Sequence, residues 1–219
     1  MVKNLITKIF QDKLTIWKAR VFLGTWLANI GLYFCRKNYT IAQPEFMKEF
    51  GWNEIQVGVI VSGYLIIYAG GQFINGILGD KWSGRAILGM GLVASAIVNF
   101  LFGFSYTITF MFILYSLNGY FQSVGWPITI KTMTNWIPLH ERGKIMPWWG
   151  TCYQIGDIAA TAFAGFLLGL TTETAINGAY GEILKFYNWR VAFWVPAIIL
   201  LIISAISIFL IRNKPEDLD

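Results

Sequence analysis

Long apolar runs separated by short polar stretches organise the chain. They fall at about 21–42, 55–79, 86–104, 107–130, 146–170 and 190–211. As helices, each is long enough to cross roughly 30 Å of hydrocarbon. The runs are continuous rather than alternating, which favours helices over membrane strands. The pattern predicts an all-α membrane protein with six transmembrane helices, forming a single bundle over residues 1–219. A short N-terminal segment, 1–20, and a tail, 212–219, flank the bundle. Lysines running on to Lys18, with no small-residue cleavage site after Val21, do not fit a signal peptide.

Composition points the same way. Of 219 residues, 56 % are hydrophobic and 13 % charged, about half the ~25 % charge of soluble domains. Mean hydropathy is +0.54. This excludes a disordered chain and argues against a soluble domain, which could not hide so much apolar surface. The net charge of +5 would hint at nucleic acid in a soluble protein. Here the basic residues sit between apolar runs, so topology accounts for them and no nucleic-acid partner is expected. Eleven lie on one side: Lys3, Lys8, Lys13, Lys18, Arg20, Lys81, Arg85, Arg142, Lys144, Arg212 and Lys214. Three lie on the other: Lys48, Lys185 and Arg190. The positive-inside rule then places both termini in the cytoplasm of a cell (inner or plasma) membrane protein.

Within residues 1–20, Leu5, Ile6, Ile9, Phe10, Ile16 and Trp17 are loosely amphipathic, with Lys13 on the apolar side. An interfacial helix and a plain basic tail both fit. The stretch 171–189 reads as an exterior loop. Cys35 and Cys152 lie inside apolar runs, and His140 is the only histidine. No disulfide, metal site or cofactor is expected. No nucleophile–base pair or nucleotide loop appears, which leaves an enzyme the least favoured class.

The first apolar run holds the sharpest feature. Val21–Cys35 spans 15 residues, roughly 22 Å of helix, too short to cross. The helix must continue through Arg36, Lys37, Asn38 and Tyr39 to about Ala42, which carries two cations to membrane depth. A central charge costs at least ~2.5–3.5 kcal/mol, so such residues normally face a polar cavity and mark a functional site. Snorkelling to the outer interface is the alternative, easier for Lys37 than for Arg36. An arginine fork suits a phosphate or carboxylate. Tyr33, three residues earlier, shares the helix face and either lines that cavity or packs.

Asp157 lies deep in the fifth run. It reads as a counter-ion to Arg36 or Lys37, as a proton site, or as a structural ion-pair partner. Tyr153, four residues earlier, shares its face. Lys131 is a weaker candidate, since it can snorkel to the cytoplasmic interface. Pro127 marks a kink. Gln72 either faces a cavity or bonds a neighbouring helix. The spacings Gly70–Gly71, Gly76–Gly79, Gly89–Gly91 and Gly165–Gly169 suit close helix packing.

Three stretches carry a resemblance. Gly76-Ile77-Leu78-Gly79-Asp80-Lys81-Trp82-Ser83-Gly84-Arg85 resembles the cytoplasmic signature of the major facilitator superfamily, and the six spans look like the N-terminal half of that fold. Arg36-Lys37-Asn38-Tyr39-Thr40-Ile41-Ala42-Gln43-Pro44 is similar to the first-helix motif of the organophosphate:phosphate antiporters. That family includes glycerol-3-phosphate and hexose-phosphate transporters and hexose-phosphate sensors. Gly125-Trp126-Pro127, followed by Lys131-Thr132-Met133, Trp136 and Glu141-Arg142-Gly143, resembles its fourth helix and following loop.

The resemblance implies exchange of a phosphorylated metabolite for inorganic phosphate by alternating access. Arg36 matches the residue that grips the phosphoryl group, Lys37 a basic residue beside it, and Tyr33 a cavity tyrosine. Gly76, Asp80, Lys81, Gly84 and Arg85 match a conformational-switch loop. Tyr153 stands where the family has a histidine, Asp157 where it has a glycine, and Gln72 where several members have a lysine. The implied partners are the bilayer, an anionic substrate with inorganic phosphate, and a second six-helix half. A hexose-phosphate sensor and an inactive truncated half are the alternatives.

Overall fold

The computed structural model describes residues 2–171 and 188–218, with side chains given for 13–171 and 188–217. Among the described residues, seven helices make six passes. They are α1 (Val2–Phe50), α2 (Glu54–Lys81), α3 (Gly84–Phe102), α4 (Ile108–Gln122), α5 (Gly125–Trp136), α6 (Leu139–Gly169) and α7 (Val191–Leu210), with short 3-10 turns at Asn188–Arg190 and Pro215–Leu218. The exterior-loop reading of 171–189 falls almost wholly outside the described residues. So do the side chains of Leu5, Ile6, Ile9 and Phe10.

α1 is one helix of 49 residues. Residues 2–20 are therefore its first turns, continuous with the first pass. The helix also runs past Ala42 and through Pro44 to Phe50, and stops at Gly51, whose φ of +69° is a left-handed conformation open to glycine. α2 begins with a reciprocal cap: Gln56 N–H donates to Asn53 Oδ1 at 2.9 Å, and Asn53 N–H to Gln56 Oε1 at 3.0 Å. Ser83 and Thr107 cap α3 and α4 in the simpler way.

The fourth pass is broken rather than kinked. Its two halves meet at Ser123–Val124. The cause is Pro127: its ring clashes with the carbonyl four residues back, that of Ser123, and it offers no N–H to it. The Ser123 hydroxyl turns back to the Tyr120 carbonyl at 2.6 Å.

Among the described residues, four segments are long and apolar enough to cross a membrane on those grounds alone: α2, α3, α6 and Asn188–Leu210. In α1, Arg36, Lys37 and Asn38 dilute the apolar window, and the fourth pass is divided. Both are held by packing. α1 lies along α6 and α7, α2 along α4, and α3 between α4 and α7. Close approach has a local reason at Gly119, where a Cβ would stand 2.6 Å from the Tyr64 carbonyl oxygen. The glycine spacings read from the sequence divide in two: Gly71, Gly79, Gly89 and Gly91 meet neighbours, whereas Gly70, Gly76, Gly165 and Gly169 meet no described atom within 4 Å.

Aromatic packing fills one end of the bundle, where Tyr39, Phe46, Phe102, Trp189 and Phe193 are all buried. There Glu49 of α1 accepts from both guanidinium amino groups of Arg190, at 2.9 and 3.1 Å, and from the Trp189 indole N–H at 2.6 Å. Arg190, one of the three basic residues on the less basic side, is only 4 % exposed. The opposite end carries Lys18, Lys81, Arg85, Arg142 and Arg212 and is called the basic end below.

A candidate anion site between α1, α2, α4 and α6

Arg36 sits on α1 facing α2 and α4. Its Nε donates to Gln122 Oε1 at 3.0 Å, and the Tyr64 hydroxyl donates to the same oxygen at 3.0 Å. Gln122 is fully buried. Its amide N donates to the Cys35 carbonyl at 3.0 Å, which fixes which way the amide points. Asn118, one turn earlier, donates to the same carbonyl at 2.8 Å and accepts from Ser95 at 2.6 Å. Tyr115 donates to the Arg36 carbonyl at 3.2 Å. The Arg36 backbone and Nε edge are thus held by neutral groups.

Three tyrosine rings surround the guanidinium, with centroids at 4.8 Å (Tyr68), 5.1 Å (Tyr33) and 6.0 Å (Tyr64). Ring faces attract a cation without discharging it. Among the described residues no carboxylate comes within 4.0 Å of Arg36. An arginine held by its Nε edge, with no acid to neutralise it, is arranged to take an anion on its two amino groups.

Lys37 points elsewhere. Its Nζ lies 2.6 Å from Asp157 Oδ1 on α6, and both side chains are partly exposed, 35 % and 45 %. Tyr153, one turn before Asp157, presents its ring edge-on to Tyr33 at 6.2 Å and lies 5.0 Å from the Trp126 ring. α6 comes this close because residue 156 is glycine: a Cβ there would meet the Tyr33 ring at 3.0 Å and Ile30 Cα at 3.2 Å. Gln72 follows Tyr64 and Tyr68 at four-residue spacing on α2, so it continues their face one turn further on, half-buried.

Lys131 is not part of this group. It lies more than two turns beyond Gln122, at the basic end, where its Nζ bonds the Gly79 carbonyl at 2.7 Å and Asp80 Oδ1 at 2.6 Å. It ties the 80–85 loop to α5. Arg85 ties the same loop to the tail, its backbone N–H donating to Asn213 Oδ1 at 2.8 Å and its Nε to the Ile208 carbonyl at 2.7 Å. Lys81 is exposed, Gly84 packs near Ile128, and Gly76 lies one turn before Asp80 on α2.

The structure therefore brings Arg36, Lys37, Tyr33, Tyr153 and Asp157 together and leaves Lys131 and the loop apart. It adds Tyr64, Tyr68 and Gln122. The tyrosines had a signal, namely their register with Gln72. Gln122 had a weaker one, a second polar residue four after Asn118 in an apolar run. No group of His, Cys, Asp and Glu that could hold a metal occurs among the described residues.

Residues 25–219 match the Major Facilitator Superfamily, and the chain belongs to that family. It is a multi-pass membrane protein. It is similar to a probable hexose phosphate transport protein of Chlamydia trachomatis, 31 % identical over 98 % of this chain and 47 % of that protein. It is also similar to a glycerol-3-phosphate transporter of Bacillus subtilis, 34 % identical over 91 % of this chain and 42 % of that protein. The membrane sensor protein UhpC of Escherichia coli is 27 % identical over 92 % and 42 %. These relatives are transporters or a sensor, not enzymes. Among solved structures, an inward-facing bacterial homologue of the human lysosomal transporter Spinster overlays with a TM-score of 0.77, covering 90 % of this chain and 44 % of that one. At 16 % identity this likeness speaks for the fold alone. The chain spans just under half the length of these relatives, and its fold matches one six-helix half of the family's architecture.

Proposed function

We propose that this chain is the substrate-gripping half of a secondary transporter that exchanges a phosphorylated metabolite, such as a sugar phosphate or glycerol 3-phosphate, for inorganic phosphate. The observation that carries the reading is Arg36, held at membrane depth by the neutral amide of Gln122 and three tyrosines, with no acid beside it among the described residues. Arg36 is the phosphoryl anchor. Tyr33, Tyr68 and Tyr153 wall the site, with Gln72 at its edge. The Lys37–Asp157 pair sets its charge: with Lys37 neutralised, Arg36 supplies one net positive charge from this half. A second six-helix half closes the site from the other side and rocks against this one. The 80–85 loop, held by Lys131 and the tail, gates that motion. Both termini lie in the cytoplasm and the membrane is the cell's inner or plasma membrane, as the charge bias of the loops supports.

The test is exchange in proteoliposomes holding this half with its complement, loaded with inorganic phosphate and offered glycerol 3-phosphate or glucose 6-phosphate. Exchange should occur and should be lost in Arg36→Ala. Undiminished exchange in that variant refutes the anchor. A second reading, a hexose-phosphate sensor, is favoured by the Lys37–Asp157 bond, which spends one of the two cations within a single half. It requires ligand binding without flux, and measured flux excludes it.

A further inference from the structure

A groove of about 610 Å³ runs along the outside of the bundle between α3 and α7. Its α3 wall is Ala86, Gly89, Val93, Ala94 and Ile97, and Ile208 of α7 faces them. The groove exists because small residues recur on that stripe of α3; at Gly89 a Cβ would come within 2.8 Å of Ile208. One end is basic. Arg85 lines the mouth together with Ser83, and its Nε is tied to the Ile208 carbonyl at 2.7 Å, which fixes the stem and, among the described residues, leaves the terminal amino groups without a protein acceptor. Among the described residues no carboxylate pairs with Arg85, and Arg212 adds a second positive charge nearby. Trp82, 62 % exposed, lies at the same end, as interfacial anchors do. The other end is shut: Trp194 of α7 lies against Phe100 and Phe104 at 6.2 and 4.9 Å between ring centroids.

From Arg85 to Ile97 is roughly 18 Å of helix. Half of a ~30 Å hydrocarbon core is about 15 Å. The groove is therefore one leaflet deep, apolar along its length and cationic at its surface end. A packed helix would instead follow α3 across both leaflets, past the point where Trp194 closes the groove. We propose that this groove binds an anionic phospholipid of the leaflet at the basic end, one acyl chain lying between α3 and α7 and the phosphate resting on Arg85. The lipid would join the 80–85 loop to α7 through Arg85, so the membrane's anionic lipid content acts on the segment that Asp80 and Asn213 already tether.

The experiment is native mass spectrometry of the delipidated chain in neutral detergent, titrated with phosphatidylglycerol and with phosphatidylcholine of identical acyl chains. One basic residue near a membrane surface is worth about a fivefold preference. Wild type should bind phosphatidylglycerol about fivefold more tightly. Arg85→Gln should bring the two lipids to near parity. Ala94→Phe fills the groove from an outward position and should weaken both. Equal affinities in wild type overturn the proposal, as does an unchanged preference in Arg85→Gln or unchanged affinity in Ala94→Phe. A dimer that Ala94→Phe dissociates also overturns it, since a second copy would then be the occupant. If Arg85→Gln does not fold, the wild-type preference and Ala94→Phe decide. None of these readouts involves Arg36 or phosphate exchange, so this inference and the proposed function fail separately.

Discussion

Replacing Gln122 with glutamate changes few atoms and should switch off the anion site. In the native protein a neutral oxygen meets Arg36 Nε at 3.0 Å. Glutamate would put a full negative charge at that place. At an effective dielectric of about 20, unit charges near 4 Å apart interact by roughly 4 kcal/mol. Arg36 is partly exposed, and solvent screening reduces this to about 1.4–2.8 kcal/mol, or 10- to 100-fold, off the affinity for a phosphorylated anion. The variant also loses the donor to the Cys35 carbonyl, so an uncharged control is needed. Gln122→Leu removes the acceptor and the donor but adds no charge, and should cost only a few-fold. The assay is equilibrium binding of labelled inorganic phosphate and glycerol 3-phosphate to the assembled protein, with helix content and thermal midpoint measured in parallel. Wild-type affinity in Gln122→Glu, or a greater loss in Gln122→Leu than in Gln122→Glu, would refute the idea that a neutral holder keeps Arg36 available.

Other perturbations follow from the same contacts. Asp157→Asn frees Lys37 from its 2.6 Å partner, so affinity for the phosphate dianion should rise about five- to tenfold in the same binding assay; no change would separate this pair from the site. Gly156→Ala drives a methyl toward the Tyr33 ring and Ile30; overpacking of this kind costs about 1–3 kcal/mol, read as a lower thermal midpoint, and an unshifted midpoint would count against the tight α1–α6 approach. Glu49→Ala leaves buried Arg190 without its carboxylate; breaking such pairs costs about 3–5 kcal/mol when fully buried, and the 32 % exposure of Glu49 lowers the expectation to about 2 kcal/mol. Denaturant unfolding of the chain in detergent would show this, and stability equal to wild type would deny the clamp.

Much of this molecule could be read from its residues in order. Six passes follow from six apolar runs, because a backbone in hydrocarbon must satisfy its own hydrogen bonds and a helix of known rise must reach across. Arg36 stood out for the same reason: the apolar run before it is too short, so the charge had to enter the membrane. The pairing of Lys37 with Asp157, as opposed to Arg36 with Asp157, could not be read this way. Both cations sit at similar depth, and only the rotation of α1 against α6 decides which one meets the acid. The break at Ser123 was half legible: Pro127 announced a disturbance, but whether a proline bends or parts a helix depends on what packs beside it. Gln122 and the tyrosines of α2 left only a faint trace, their four-residue register with Asn118 and Gln72, because hydropathy treats them as mild exceptions within apolar runs. Their importance lies in distances between helices, which no one-dimensional pattern encodes. Periodicity and length set what each segment is, since those are local properties of the chain. Which side chains share a site is set by helix rotation and approach, down to a missing methyl at Gly156, and those are properties of the packed bundle alone.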